Sequence, residues 1–364
     1  MITTRSLISL CLLCLLALPV NAHLNPNKPS QNNQTNRASL REPCTPGSSQ
    51  IAQDINNVRA RLLINGDVWW DGSRMARYVV PKVEPGEPEV SSIFAAAVWL
   101  GGIDEGDNLK VAVKMFGSSN GQTDFWPGPI QNGAQGTTDD VCQQWDKHFE
   151  VLGADILLHL SRWQEAVRLG ETYQEADIPK SIRGWPARGN EFFFGVHNFN
   201  LPLTDQGLAS FYDRDSDDRY EPDDGDYPRI EIRGCEEDPQ FPDEMIFWIY
   251  NDAGNNHTES DSEPINMEIQ VQSFAYATND EINDMTFQRY KLINRGVGDL
   301  DSTFFAMWVD ADLGCGFDDY IGCDTSRSLA YYYNSDQIDG ITDNSCDCDG
   351  TDTYCEDIPM IGID

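Results

Sequence analysis

The sequence has few basic residues. Its 364 residues include 25 lysines and arginines against 60 aspartates and glutamates, which gives a formal net charge of −35 at pH 7. Such a charge repels the phosphates of nucleic acids and anionic lipid headgroups, so it argues against both as partners, and it attracts cations instead. The 9 tryptophans, 13 tyrosines and 16 phenylalanines provide enough apolar area for a core, so the chain differs from a disordered acidic tail.

Histidine is also scarce, and the motifs of several enzyme classes are missing. The five histidines include none in a His-Glu-x-x-His pattern, and the sequence has no phosphate loop and no dinucleotide fingerprint. We therefore nominate no catalytic residue, and the chain is not expected to be an enzyme. His148 and His257 are expected to be packed or hydrogen-bonded polar side chains.

Long hydrophobic runs are confined to the N-terminus. Residues 1–22 have the pattern of a secretory signal peptide, with Arg5 before an apolar stretch at residues 7–18 and a small residue, Ala22, at the cleavage site. The apolar stretch is too short to span a bilayer, and no later segment resembles a transmembrane helix. We therefore expect export through a cleaved signal peptide to the extracellular space or the outer cell surface.

Two cysteines lie within the signal peptide and eight follow it. An even number of cysteines in an exported chain favours disulfides over metal thiolates. We predict a local pair between Cys315 and Cys323. The alternative of a zinc site at Cys346, Cys348 and Cys355 has unusual spacing and no nearby histidine.

The remaining chain has three predicted regions. Residues 23–50 are rich in Asn, Pro, Gln and Ser and predict a disordered linker. Residues 51–240 predict a β-rich region with one helix and an acidic loop, and residues 241–364 a β-sandwich-like domain that is truncated at its C-terminus. Short apolar runs separated by Gly, Pro and Asn turns predict a mainly β fold, an antiparallel β-sandwich with long acidic loops. Residues 245–250 are apolar on both faces, as in a buried central strand, and residues 265–277 alternate between apolar and polar side chains.

One prominent helix is predicted at about residues 154–169. Ile156, Leu160, Trp163 and Val167 recur at helical spacing and therefore share one face. Gly170 stands where a C-terminal cap glycine is expected.

The sharpest motif is an acidic loop that starts at Asp213. Asp213, Asp215 and Asp217 occupy positions 1, 3 and 5 of a calcium-binding loop, the Arg219 carbonyl falls at position 7 and Asp224 at position 12. Three carboxylates at this spacing can surround one hard cation, and without a cation their mutual repulsion is unfavourable. The sequence therefore predicts calcium as the cofactor.

Two departures separate this loop from an EF-hand. Position 6 is Asp218 instead of glycine, and Pro222 and Pro228 argue against a helix after the loop. We expect an EF-hand-like loop of the kind that braces extracellular modules.

A second calcium loop is predicted directly after a strand. Asp310 and Asp312 share one face of the extended chain, and Asp318 and Asp319 follow a few residues later. The alternative is a polar loop held by a disulfide. The acidic tail at residues 336–357 lacks ligand spacing and is expected to be solvated.

Several segments resemble the N-terminal region of large, mostly uncharacterised exported proteins of Bacteroidetes, which usually end in a type IX secretion sorting domain. The segments are Asp67-Val-Trp69-Trp70-Asp71, Trp99-Leu-Gly101-Gly102, Asp124-Phe-Trp126-Pro-Gly128-Pro129, Asp146-Lys-His148-Phe149, Gly225-Asp226-Tyr227-Pro228, Asn251-Asp252-x-Gly254-Asn-x-His257-Thr-Glu259 and Asp310-x-Asp312-Leu-Gly314 with Asp318-Asp319-Tyr-x-Gly322-Cys323-Asp324. The resemblance implies outer-membrane export and cell-surface attachment or release, without a known activity. No sorting domain is present, so we expect a fragment of a longer protein.

These observations predict a secreted or cell-surface calcium-binding structural or adhesion module of a larger exported protein. The alternative is a secreted carbohydrate-binding or carbohydrate-active protein, in which Trp69, Trp70 or Trp126 would stack on a sugar. Besides calcium, the expected partner is an extracellular glycan or a surface protein.

Overall fold

The structure is a computed structural model that describes residues 43–84, 86–115, 121–130, 136–204, 207–232, 241–340, 346–348 and 352–364. The predicted signal peptide, most of the predicted linker and Cys235 lie outside these residues. The strands are β1 (Gln50–Gln53), β2 (Arg59–Leu63), β3 (Asp67–Val68), β4 (Tyr78–Val79), β5 (Ser91–Ile93), β6 (Ala95–Asp104), β7 (Leu109–Val113), β8 (Trp126–Pro127), β9 (Phe149–Leu152), β10 (Phe211–Tyr212), β11 (Tyr227–Pro228), β12 (Glu244–Asn251), β13 (Met267–Ala275), β14 (Phe287–Asn294), β15 (Leu300–Asp310), β16 (Asp319–Asp324), β17 (Leu329–Asn334) and β18 (Ile361–Ile363). The helices are α1 (Asp139–Trp145), α2 (Gly153–Leu169), α3 (Lys180–Arg183) and α4 (Phe193–His197).

The fold is mainly β, and its strands pair antiparallel, as predicted. A first sheet of eight strands has the order β15-β6-β3-β2-β4-β5, with β1 beside β2 and β7 beside β6. A second sheet of five strands has the order β14-β13-β12-β8, with β9 also beside β12. The strands β16, β17 and β18 form a third, small sheet, and β10 pairs with β11.

The central strand β12 separates two apolar clusters. Its eight residues are all buried, as the apolar run on both faces predicts. Ile246, Trp248 and Tyr250 face the first sheet, and the alternate residues Met245 and Phe247 face the helices. The architecture is therefore a β-sandwich with a third layer of helices and loops over the outer face of the second sheet.

The strand β13 alternates as the sequence predicts, but both of its faces are buried. Met267, Ile269 and Val271 join the cluster between the two sheets, whereas Phe274 packs in the cluster on the side of the helices. On the other face, the Gln270 and Gln272 amides donate to the backbone carbonyls of Gly207 and Arg229. The loops of residues 207–232 therefore cover this polar face and satisfy part of its hydrogen-bonding capacity.

The predicted helix is present as α2. It ends at Gly170, which has a left-handed φ of 69° and donates its N–H to the carbonyl of Val167. Ile156 is buried, whereas Val167 is 58% exposed and lies off the packed face. The other three helices were not anticipated, because each has seven residues or fewer and shows little periodicity.

Strands from both sides of the predicted boundary at residues 240 and 241 share each large sheet. In the first sheet β15 pairs with β6, and in the second β12 pairs with β8 and β9. The described part of the predicted linker is also held in place, because Cys44 is buried and forms a disulfide with Cys142. The described residues between 43 and 364 belong to one compact unit.

The predicted pair of Cys315 and Cys323 is wrong. Cys315 is buried and bonds to Cys346, whereas Cys323 is exposed on β16 and is a free thiol. Cys348 bonds to Cys355, so the cysteines of the alternative zinc site are engaged in disulfides. Within the described residues, no helix is both long enough and apolar enough to cross a bilayer.

Candidate metal centres

The first acidic loop brings together three of the predicted ligands. One carboxylate oxygen from each of Asp213, Asp215 and Asp217 lies within 4.8 Å of the other two. The loop connects β10 to β11, whose pairing brings its two ends together. Alternate acidic residues on a short turn therefore converge here, as their spacing predicts.

Backbone donors shape this loop. Asp213 accepts from the N–H of Ser216 at 2.7 Å and from the N–H of Asp218 at 2.8 Å. Partial burial acts to raise the pKa of Asp213, but these backbone hydrogen bonds outweigh it and lower the pKa. Asp218, at position 6, has a φ of 65°, so it adopts the left-handed conformation that glycine usually supplies there.

Two other predicted ligands lie beside this cluster. The backbone N–H of Arg219 donates to Asp217 at 2.9 Å, and the Arg219 guanidinium lies 3.0 Å from a carboxylate oxygen of Glu191. Asp224 is exposed at the end of the short 3-10 turn Pro222–Asp224 and is not one of the three grouped carboxylates. The chain enters this short turn at the position where an EF-hand would begin its second α-helix.

Asp226 closes the base of the loop and was not identified from the sequence. It is 2% exposed and accepts from the backbone N–H groups of Arg214 and Glu221, each at 2.9 Å. Burial raises its pKa to about 6; the two backbone hydrogen bonds oppose this rise, and the charges of Asp213 and Asp215 add to it. In the sequence, the signal that could have identified Asp226 is its place directly after Gly225, at the end of the acidic run.

The four predicted carboxylates of the second loop lie at the end of β15, between β15 and β16 and at the start of β16. Among the described residues, only Asp318 of these four belongs to a group of three potential ligand atoms within 4.8 Å of one another. Asp310 ends β15 and Asp319 begins β16. Asp319 accepts from the N–H of Leu313 at 2.8 Å, and Asp318 accepts from the N–H of Gly340 at 2.9 Å. The other oxygen of each residue, Oδ1, is buried and has no hydrogen-bond partner among the described residues.

Burial raises the pKa values of Asp310, Asp312 and Asp319, and neighbouring charges add to the rise at Asp312 and Asp319. Burial raises the pKa of Asp312 to about 6, and the charge of Asp310 adds to this effect. Burial raises the pKa of Asp319 to about 7; the hydrogen bond from Leu313 opposes the rise, and the charges of Asp318 and Asp312 add to it. The second loop therefore holds carboxylates that are costly to ionise together without a cation.

Asp339 joins the second loop, although the sequence placed it in a tail expected to be solvated. It is fully buried and accepts from the backbone N–H of Cys315 at 3.0 Å and from that of Tyr354. One oxygen of Asp339 and one of Asp318 lie within 4.8 Å of each other and of the Cys315 sulfur. That sulfur is bonded to Cys346, so it does not offer a thiolate.

The three tryptophans considered for sugar stacking do not form an open platform. Trp69, Trp70 and Trp126 are 8%, 5% and 2% exposed. Trp126 packs beside the disulfide of Cys44 and Cys142. These side chains therefore belong to the interior, and no sugar can lie flat across them.

Comparisons with protein-family models, with curated proteins and with solved structures found no match for this chain.

Proposed function

We propose that the chain is a calcium-braced structural module that acts outside the cell as part of a larger exported protein. Calcium would occupy the first loop at Asp213, Asp215 and Asp217. In the second loop it would lie among the predicted ligands Asp310, Asp312, Asp318 and Asp319, with Asp339 beside them. In this role the cation holds loop ends together, and the module presents a surface for adhesion or for attachment of other parts.

The observation that carries the proposal is the second loop. Asp318 and Asp319 each have a buried oxygen without a hydrogen-bond partner among the described residues. Neighbouring charges influence the pKa values of Asp312, Asp319 and Asp339, and each of these neighbours is another carboxylate. One carboxylate oxygen of Asp318 lies within 4.8 Å of one of Asp339, and two unit charges at about that separation repel by roughly 3–4 kcal/mol at an effective dielectric constant of about 20. A divalent cation removes this cost and supplies the missing partner.

Export is supported by the disulfides. Three pairs form among the described residues, and such bonds persist in oxidising compartments outside the cytosol. The signal-peptide pattern of residues 1–22 and the resemblance to exported Bacteroidetes proteins agree with this location. Extracellular calcium is millimolar, which suits loops of modest affinity.

The first test compares thermal unfolding with calcium and with EGTA. At a calcium concentration about 100 times Kd, binding at one site adds about 2.7 kcal/mol to the free energy of unfolding, which for a chain of this length corresponds to a rise in Tm of roughly 4 °C. Magnesium at the same concentration is the control for ionic strength, and we expect it to have a smaller effect because it prefers a rigid octahedral shell. An identical Tm in calcium and in EGTA would contradict the proposal.

The variant Asp319→Asn separates calcium binding from simple packing. It keeps the shape and an oxygen that accepts from Leu313 while removing one negative charge. We expect its Tm in EGTA to equal or exceed that of the unmodified protein, because repulsion falls, and its calcium-induced rise to shrink by at least half. Asp301→Asn, at an exposed position of β15, is the matched control. Equal calcium responses in Asp319→Asn and the control would count against the second centre.

A further inference from the structure

A cavity of about 470 Å³ lies between the helix α2 and the first acidic loop. One wall comes from the C-terminal part of α2 and from residues 171–173, and the other comes from the segment 214–226. Both segments consist entirely of described residues. The volume is typical of sites that bind small molecules.

The α2 wall of this cavity is apolar and incompletely covered. Trp163, Ala166 and Val167 line it and stand three and four residues apart, so they share one face of the helix. Trp163 and Ala166 are partly buried, whereas Val167 is 58% exposed. Val167 was expected on the packed face, and the cavity is the reason that it remains open. This wall can therefore contact the methylene groups of a ligand.

The charges around the cavity favour a cation. Six carboxylates line it, together with a single basic residue, Arg214. The carboxylates belong to Glu171, Asp215, Glu221, Asp223, Asp224 and Asp226. Glu171, Asp223 and Asp224 are exposed, and none of these three forms an ion pair with a lysine or arginine of the described residues. Their oxygens are therefore accessible, and their charges attract a positively charged ligand.

Arg214 is held against the helix and leaves these carboxylates to a ligand. The centre of its guanidinium lies 4.1 Å from the ring centroid of Trp163, and its Nη2 donates to the carbonyl of Gly225 at 3.2 Å. Among the described residues Arg214 forms no ion pair with a carboxylate. Its place over the indole shows that the α2 wall already stabilises one organic cation.

The carboxylates are spread over the two walls instead of surrounding one point. Among the described residues, Asp215 is the only one of the six that belongs to a group of three ligand atoms within 4.8 Å of one another, and that group lies in the first acidic loop. The other five do not converge as the ligands of a metal ion do. A longer ligand with several positive groups can reach them separately.

We propose that this cavity binds a linear aliphatic polyamine, whose ammonium groups meet the carboxylates of both walls while its methylene groups lie against Val167 and Ala166. A polyamine alternates positive groups with short apolar chains, which matches carboxylates on either side of an apolar helix face. The small volume favours a free amine over a lysine side chain of a partner protein. Asp215 is the one residue shared with the three grouped carboxylates of the first loop, so binding is measured with calcium present, and either proposal can fail while the other stands.

The test is a calorimetric titration of the full chain with spermidine at physiological ionic strength. Any polycation is attracted to a chain with a net charge of −35, so a matched pair of variants isolates the cavity. Val167→Lys places an ammonium on the α2 wall and is expected to weaken spermidine binding at least tenfold. Leu169→Lys adds the same charge at another exposed apolar position of α2, outside the cavity, and is expected to bind like the unmodified protein.

Two further ligands define the chemistry. Terminally diacetylated spermidine keeps the aliphatic chain but loses the terminal charges, and we expect it to bind at least tenfold more weakly than spermidine. A capped trilysine peptide carries the same charge as spermidine on a peptide backbone, and we expect it to bind more weakly too.

Four results would overturn the proposal: no saturable binding of spermidine, equal affinity in Val167→Lys and Leu169→Lys, undiminished binding of the diacetylated amine, or tighter binding of trilysine. If Val167→Lys does not fold, a second matched pair decides instead. Glu171→Gln and Glu281→Gln each remove one exposed carboxylate, and only the first lines the cavity. Weaker binding in Glu171→Gln alone supports the cavity, and equal binding in the two variants excludes it.

Discussion

His257 is a buried histidine whose two ring nitrogens both face oxygen acceptors. Nδ1 lies 2.8 Å from the carbonyl of Val111, and Nε2 lies 2.7 Å from the carbonyl of Asp252. Carbonyl oxygens only accept, so these two contacts favour the imidazolium form of the ring, with a proton on each nitrogen. The Ser260 hydroxyl, 3.4 Å from Nδ1, is the other polar neighbour of that nitrogen. Carboxylate oxygens of Asp124 and Asp252 lie 3.7 Å and 3.5 Å from the ring and balance its charge.

This geometry predicts a pH-dependent stability. Burial acts to lower the pKa of His257, but hydrogen bonding and charge from Asp252, together with the charge of Asp124, outweigh it and raise the pKa above 6.5. Because the folded protein binds this proton more tightly, the stabilisation is complete below pH 6.5 and is lost as the pH rises through the raised value. We expect His257→Gln to lower stability by about 3 kcal/mol at pH 6 and by less at pH 9, measured by urea unfolding.

His159 provides the matched comparison, because its shift has the opposite sign. Burial lowers the pKa of His159 to about 4; the hydrogen bond with the Asp226 carbonyl opposes this fall, and the charge of Arg214 adds to it. Its neutral ring therefore loses stabilising effect as the pH falls below 6.5. We expect the cost of His159→Gln to decrease at low pH. A cost of His257→Gln that is the same at pH 6 and pH 9 would show that the ring is neutral.

The acidic residues show what the sequence pattern can and cannot reveal. Asp213, Asp215 and Asp217 converge because their spacing acts within one turn. Asp226 and Asp339 reach their positions through pairing and packing of segments farther along the chain. A motif search finds residues that converge within one turn. It misses residues such as Asp226 and Asp339, because their spacing in the sequence does not show which distant segments come together in the fold.

At the scale of single elements, the helix α2 was the most predictable. Its apolar residues recur at helical spacing, and its C-terminal glycine is a local signal. The strand β12 was recognised from its continuous apolar run, since a strand buried on both faces needs no polar positions. The short helices and two-residue strands carry too few residues for a pattern, so only packing defines them.

Two glycines allow a controlled test of the helix end. A Cβ added at Gly170 or at Gly195, which lies in α4, would meet no atom within 4 Å. The two glycines differ in backbone conformation, because only Gly170 has a left-handed φ, of 69°. We expect Gly170→Ala to lower stability by about 1 kcal/mol because alanine is strained in the left-handed region. Gly195→Ala is expected to be neutral or stabilising. Both are measured by chemical denaturation, and equal effects would contradict the role assigned to Gly170.

At the scale of the whole molecule, cross-links between distant segments hold the layers together. The disulfide between Cys44 and Cys142 joins residues 98 apart and ties the start of the described chain to α1. The disulfide between Cys348 and Cys355 spans only 7 residues. Loop-closure entropy predicts about 4.7 kcal/mol for the long link and about 2.4 kcal/mol for the short one.

Removing each pair in turn tests this difference. We expect the double variant Cys44→Ser with Cys142→Ser to lose more stability than Cys348→Ser with Cys355→Ser, by about 2 kcal/mol, in reversible urea unfolding. Both variants lose two sulfur atoms, so the comparison isolates the length of the closed loop and the burial of Cys44. A larger loss from the short link would show that local contacts, rather than chain entropy, dominate.

The sequence by itself determined the mainly β class, the helix α2, the buried strand β12 and the convergence of three carboxylates, because periodicity, cap residues and short turns act between near neighbours. The tertiary structure alone decided the cysteine partners, the mixing of early and late strands in both sheets, and the places of Asp226 and Asp339. Those features join residues far apart in the chain, and their approach depends on how all the layers pack together.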